Sequence, residues 1–177
     1  MLLYMFALKN SGEDLLGENP VPVGVQYFPA RAPYLSADSK LTPEDAEKKR
    51  ETQWKRKGLL LSDPEILQAM EQSDSPKRLC CSVKKDGTLS GDLADRDQMR
   101  ILEGYVFRVL ARLVDEIASG NVEPNPYTRG SSHSACDYCP YSSVCHEKSG
   151  EGRRNYKTMS ADRFWDEIGK EMTGNGR

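Results

Sequence analysis

The chain has no apolar run that approaches the ~18 residues needed to cross a bilayer, which excludes a membrane-spanning helix of the ordinary kind. It has no excess of positive charge: 25 Lys and Arg stand against 27 Asp and Glu, for a net charge of -2. That excludes a free-standing nucleic-acid binder held by overall charge, whose pI usually exceeds ~9, and leaves room only for a local basic patch. No GxxxxGK[ST] loop occurs, so nothing here cradles a nucleoside triphosphate in that way. Internal repeats and low-complexity segments are also missing. Counted with Gly and without Tyr, about 40% of residues are apolar, short of the ~45–50% of an average globular domain. That shortfall fits a piece of a larger protein, while eight Tyr, four Phe and two Trp argue against a disordered tail.

The opening Met1–Leu8 is apolar but has no basic stretch before it. Lys9-Asn10-Ser11-Gly12 is a poor cleavage site, so a signal peptide is not the expected reading. We read residues 1–9 as a buried helix entered partway along and ended by Asn10-Ser11-Gly12. Since nothing before Leu2 resembles a helix cap, the expectation is a chain that starts inside a longer protein. Val23–Phe28, β-branched and aromatic between prolines, is expected to be a strand largely buried on both faces. Thr42-Pro43-Glu44-Asp45 combines an N-cap, a first-turn proline and acids at the positive end of the helix dipole. It predicts a helix to about Trp54, stopped by Gly58. Leu59–Leu61 is short and buried, and Ser62-Asp63-Pro64-Glu65 opens a second helix through about Glu71. Asp86-Gly87 turns a hairpin between Leu79–Lys84 and Thr88–Ser90.

Met99, Leu102, Val106, Val109, Leu110, Leu113 and Ile117 recur at helical spacing, predicting a helix from about Asp95 to Ala118 that packs on one side and is capped by Gly120. A last amphipathic helix, Ser160 to about Met172, carries Phe164, Trp165 and Ile168. The class is α/β with more helix than strand.

Five cysteines are present, an odd number, and three of them fall within ten residues. A secreted disulfide framework spreads an even number along the chain, so clustering in a chain without a secretory signal points to a metal or iron–sulfur site in a reducing cytosol. Cys136-x2-Cys139-x5-Cys145 has a turn that brings two thiolates to one side, where they can grip a metal ion or cluster irons. Both zinc and a [4Fe–4S] cluster want four ligands. Zinc could add His133 or His146, although His146 directly follows Cys145. A cluster needs a fourth cysteine, either Cys80 or Cys81 or one outside this chain, and a hairpin strand more often buries such a cysteine as a small apolar residue. Spacing alone leaves zinc and iron–sulfur open.

Taken in order, Val23-Gly24-Val25-Gln26-Tyr27-Phe28-Pro29-Ala30-Arg31, Gly58–Glu65, Asp86-Gly87-Thr88-Leu89-Ser90, Tyr127-x-Arg129-Gly130, the cysteine loop and the Trp165 helix resemble the C-terminal segment of the AddB family, found in AddAB helicase–nucleases of bacteria. The resemblance implies part of a restriction-endonuclease-like PD-(D/E)xK core over residues 1–130, an iron–sulfur loop over 131–150 and a closing segment over 151–177. It implies DNA and a helicase–nuclease A subunit as partners, work at double-strand breaks in recombinational repair, Mg2+ at the nuclease site and a [4Fe–4S] cluster. Cys136, Cys139 and Cys145 would be three of its ligands, the fourth lying upstream of this chain. Tyr4 falls where the Tyr of a Gln-x-x-x-Tyr motif stands beside the active site, which places the catalytic Asp, acid and Lys upstream as well. The chain alone is then expected not to cut DNA.

Two acid-x-Lys sequences do occur, Asp38-Ser39-Lys40 and Glu47-Lys48-Lys49, but one reads as loop and the other as exposed helix, so neither is expected to be catalytic. The basic run Lys48–Lys57, with Trp54 inside it, either lines a path for DNA or is a solvated helix end with cations at the favourable terminus; the second is favoured. Two other classes compete: a stand-alone zinc-binding interaction module without catalysis, and a Cas-type or other helicase-linked iron–sulfur nuclease.

Overall fold

The computed structural model describes residues 1–18, 20–31, 34–36, 40–73, 76–130, 133–145, 153–156 and 158–174. It falls into two units, Met1–Val106 and Phe107–Arg177. In the first, helix α1 (Leu2–Leu16) precedes strand β1 (Gly24–Tyr27), helix α2 (Pro43–Gln53), strand β2 (Lys57–Leu61) and helix α3 (Pro64–Met70). Strands β3 (Cys81–Val83), β4 (Leu89–Gly91) and β5 (Leu93–Ala94) then lead into helix α4 (Arg96–Ala118), inside which the two units divide.

Strand β2 is the centre of a three-stranded sheet ordered β1-β2-β5. It runs antiparallel to β1, with Gly24 opposite Leu60 and Tyr27 opposite Lys57, and parallel to β5, with Leu60 opposite Leu93. Having a neighbour on each side, β2 buries Leu60 and Leu61, as the Leu59–Leu61 run implies. Leu60 joins Leu67, Leu79, Cys80 and Cys81 in one core, with Leu89 and Leu93 packed against it. Each fully buried leucine contributes roughly 1.5–3 kcal/mol. The hairpin forms as expected: β3 pairs antiparallel with β4, and the Asp86 carboxylate accepts the Thr88 N–H at 2.9 Å. That bond holds the Asp86 carboxyl below its usual range.

Helices α2 and α3 start where their caps say they should. The Thr42 hydroxyl accepts the Asp45 N–H at 3.2 Å, and the Asp63 carboxylate accepts those of Glu65 and Ile66. Three expectations fail on tertiary grounds. Helix α1 runs through Asn10-Ser11-Gly12 to Leu16 and ends at Gly17, in the left-handed conformation. Gly12 is buried against Pro20, where an added Cβ would lie 2.3 Å from the ring, so it is a contact point and not a stop. Strand β1 is an edge strand and only half-buried, with Tyr27 and Phe28 exposed. Gly58 does not end α2, which closes at Trp54; it lies in β2 with φ +154°, where a Cβ would meet the Val25 carbonyl oxygen at 2.0 Å. Close backbone approach of β1 is what that glycine permits.

In the second unit, β6 (Tyr127–Arg129) is flanked by β7 (His133–Ser134), antiparallel, and β8 (Arg154–Asn155), parallel. Strands of two or three residues are too short to show a period, and by sequence this stretch reads only as a loop. Helix α5 (Ser142–Cys145) and helix α6 (Ala161–Thr173) follow. Ser160 caps α6 through the Arg163 N–H, Phe164 and Trp165 meet edge to face at 5.2 Å, and Ile168 is buried. Gly120 closes α4 as expected, its N–H donating to the Ile117 carbonyl at 3.0 Å. The apolar stripe of α4 is buried at Met99 and Leu102 but open at Leu113 and Ile117, the latter 76% exposed.

Candidate functional site

The cysteine loop is shaped by short-range bonds that its sequence encodes. The Asp137 carboxylate accepts the Ser134 N–H at 2.9 Å, and the Ser134 hydroxyl accepts the Cys136 N–H at 3.1 Å, so Ser134 and Asp137 close a turn on each other. The Cys139 N–H then donates to the Cys136 carbonyl at 3.2 Å, which is the tight C-x2-C turn expected from the spacing. Cys145 ends α5, its N–H bonded to the Tyr141 carbonyl at 2.9 Å. All three thiols are free; Cys136 and Cys139 are half-buried and Cys145 is exposed. The donors therefore suit a thiolate-held group in kind and in backbone, but among the described residues no three Cys, His, Asp or Glu side chains are gathered as a metal-holding set. His133 lies on β7, and His146 lies outside the described residues.

Cys80 and Cys81 sit in the core with Leu60, Leu67 and Leu79. Burial pushes both thiols up, away from the thiolate that a metal needs. Both pack in the core, Cys81 at the start of β3 and Cys80 just before it, where Cys80 also borders the cleft described below.

Tyr4 stands on α1 with 69% of its surface exposed. Of the acid-x-Lys sequences, Asp38 and Ser39 lie outside the described residues. Glu47 is on α2, exposed and paired with Arg50 at 3.3 Å, so it is not on a strand.

The basic run splits in two. Lys48, Lys49 and Arg50 face solvent on α2, in keeping with a solvated helix end. Lys55, Arg56 and Lys57 instead border a cleft of about 700 Å³ with Tyr27, Phe28 and Arg31; Cys80 and Asp92 also line it. Arg56 is held by three contacts. Its guanidinium donates to the Gln26 side-chain oxygen at 3.0 Å and lies 4.0 Å from the centre of the Phe28 ring, and its backbone N–H donates to the Arg78 carbonyl at 2.8 Å. Trp54 is not part of this lining. In sequence the aromatic pair and Arg31 belong to one segment and the cations to another; only the β1–β2 register joins them.

The family model that describes the PD-(D/E)XK nuclease superfamily matches residues 1–146. The chain belongs to that superfamily. It is also similar to proteins whose name is that of the B subunit of an ATP-dependent helicase/deoxyribonuclease. Identity is 34% over 97% of this chain for the protein from Moorella thermoacetica and 33% over 99% for that from Clostridium acetobutylicum. For the protein from Oceanobacillus iheyensis it is 32% over 90%. The chain spans about 16% of the length of the first two and 14% of the third. The mixed α/β architecture, helix-rich with small sheets, accords with the restriction-endonuclease-like class expected from the resemblance.

Proposed function

We propose that this chain is part of the nuclease domain of a B-type subunit in an ATP-dependent helicase–exodeoxyribonuclease, working with a helicase A subunit on DNA at double-strand breaks in the cytoplasm. The observation that carries this reading is the similarity, over nearly the whole chain, to three proteins so named, within a nuclease superfamily that matches residues 1–146. No described helix is long and apolar enough to cross a membrane. In such a nuclease, bound Mg2+ polarises the phosphodiester and activates water. We assign its carboxylates to residues outside this chain, as the resemblance implies; Glu47 stands on the exposed helix α2, and Asp38 lies outside the described residues. The chain's own contributions are then structural and positional: β1, β2 and β5 complete the core, and α1 presents Tyr4 toward the catalytic groups.

Cys136, Cys139 and Cys145 would hold three corners of a [4Fe–4S] cluster, whose stability would tie distant parts of the protein together much as a cross-link does. The spacing, the C-x2-C turn and the three free, accessible thiols support this. With Cys80 and Cys81 buried as packing residues, the fourth cysteine is assigned outside the chain. Metal analysis and an optical spectrum on anaerobically purified protein test the reading, on this chain and on a form extended upstream. Iron with broad absorbance near ~400 nm in the extended form, lost in Cys139→Ser, is expected. Stoichiometric zinc in the 177-residue chain, unchanged by extension, would replace it with a zinc-binding interaction module.

A further inference from the structure

The cleft beside β1 and the start of β2 has a charge balance opposite to that of the chain as a whole. Arg31, Lys55, Arg56 and Lys57 share the cleft lining with one carboxylate, Asp92, and Arg56 also acts on the nearby Glu71, although the whole chain carries more acids than cations. None of the four cations takes part in the ion pairs found among the described residues. Such a concentration of one sign in a concave site focuses potential on an anion. Two aromatic side chains lie beside it in open positions, Phe28 at 65% and Tyr27 at 56% exposure, where apolar area is normally covered. Tyr27 is directly opposite Lys57 on the β1–β2 ladder, so a ring and a cation share one rung and one face.

From these features we infer that the cleft binds single-stranded DNA, with Lys55, Lys57 and Arg31 on successive phosphates and Tyr27 and Phe28 as stacking surfaces for bases. Cations that track the backbone beside aromatic rings make up the usual chemistry of single-strand binding. Arg56 is the fixed element: the Gln26 oxygen, the Phe28 ring and the Arg78 carbonyl hold it in place, so little side-chain freedom is lost when a phosphate arrives. A volume of about 700 Å³ accommodates a nucleotide unit and not merely an ion. The inference rests on the proposed DNA-acting role and adds to it a site within this chain.

Fluorescence anisotropy of a labelled oligothymidylate, titrated with the 177-residue chain, tests it. Lys55→Ala with Lys57→Ala is expected to weaken binding on the order of 10-fold near ~0.1 M salt and to flatten the log–log salt dependence by about 1.4, at ~0.7 per lost phosphate contact. Lys84→Ala with Lys85→Ala removes the same charge on the β3–β4 turn, outside the cleft lining, and is expected to bind like the unaltered chain. Tyr27→Leu with Phe28→Leu should weaken oligothymidylate binding but leave inorganic polyphosphate binding unchanged. Circular dichroism melts confirm that each variant is folded. If both cleft variants bind as the unaltered chain does, or the hairpin-turn variant loses as much, the cleft assignment falls and the DNA-acting role stands. Should the aromatic variant be neutral and polyphosphate compete fully, the site is a general anion site and the single-strand assignment fails. A folded chain that ignores DNA altogether overturns the cleft assignment, while the DNA-acting role, which rests on the named relatives and not on this cleft, stands.

Discussion

Glu71→Gln is the substitution most informative about how the cleft is supported. Glu71 caps the end of α3, and its carboxylate accepts the backbone N–H of Lys77 at 2.9 Å and of Arg78 at 3.1 Å. The Arg78 carbonyl in turn accepts the backbone N–H of Arg56, so the carboxylate lies two bonds from the residue whose guanidinium covers Phe28. Burial raises the Glu71 pKa, but the N–H groups of Lys77, Arg78 and Leu79, with the positive Arg56, outweigh it and hold the carboxyl below its usual value of 4.5. A hydrogen bond to a charged group contributes about 1.5–3 kcal/mol. Glutamine keeps one acceptor and turns an NH2 toward the other N–H; both bonds are open to solvent, so after screening about 1 kcal/mol should be lost at pH 7.

Because the folded-state pKa is depressed, that stabilisation is present above the unfolded value and fades as pH falls through the folded one. Urea unfolding followed by tryptophan fluorescence should therefore show a gap between wild type and variant that is constant from about pH 8 to 5.5 and narrows below about pH 4.5. Amide exchange at Arg56 should quicken in the variant at neutral pH. A variant within ~0.5 kcal/mol of wild type at pH 7, or a gap that persists in acid, would refute the assignment of these bonds.

Two further substitutions probe the core and the sheet. Cys81→Ser places a hydroxyl in a fully buried apolar site and should cost about 1–3 kcal/mol in a thermal melt, with the iron content of the extended protein unchanged. An equal loss of iron would show Cys81 to be a ligand after all. Gly58→Ala drives a Cβ toward the Val25 carbonyl at a backbone angle that side chains avoid, and should cost more than about 2 kcal/mol. Exchange of the β1 and β2 amides should rise with it; unaltered exchange and stability would mean that the two strands are not held so closely.

The features legible in the sequence are those built from short-range bonds. Thr42, Asp63 and Ser160 announce α2, α3 and α6 because a cap is a side chain bonded to a backbone N–H two or three residues on. Asp86 and Gly87 mark the hairpin, and the C-x2-C spacing marks the turn at Cys136, for the same reason. What only the tertiary structure decided depends on partners remote in the chain. Gly12 continues a helix because Pro20 packs on it, and Gly58 sits in a strand because Val25 crosses it at 2.0 Å from its missing Cβ. Tyr27 and Phe28 are exposed because β1 is an edge, which the β-branched and aromatic residues of Val23–Phe28 do not by themselves reveal. The basic cleft exists because antiparallel pairing sets Tyr27 against Lys57, thirty positions away in sequence, and pattern within either segment says nothing about that register.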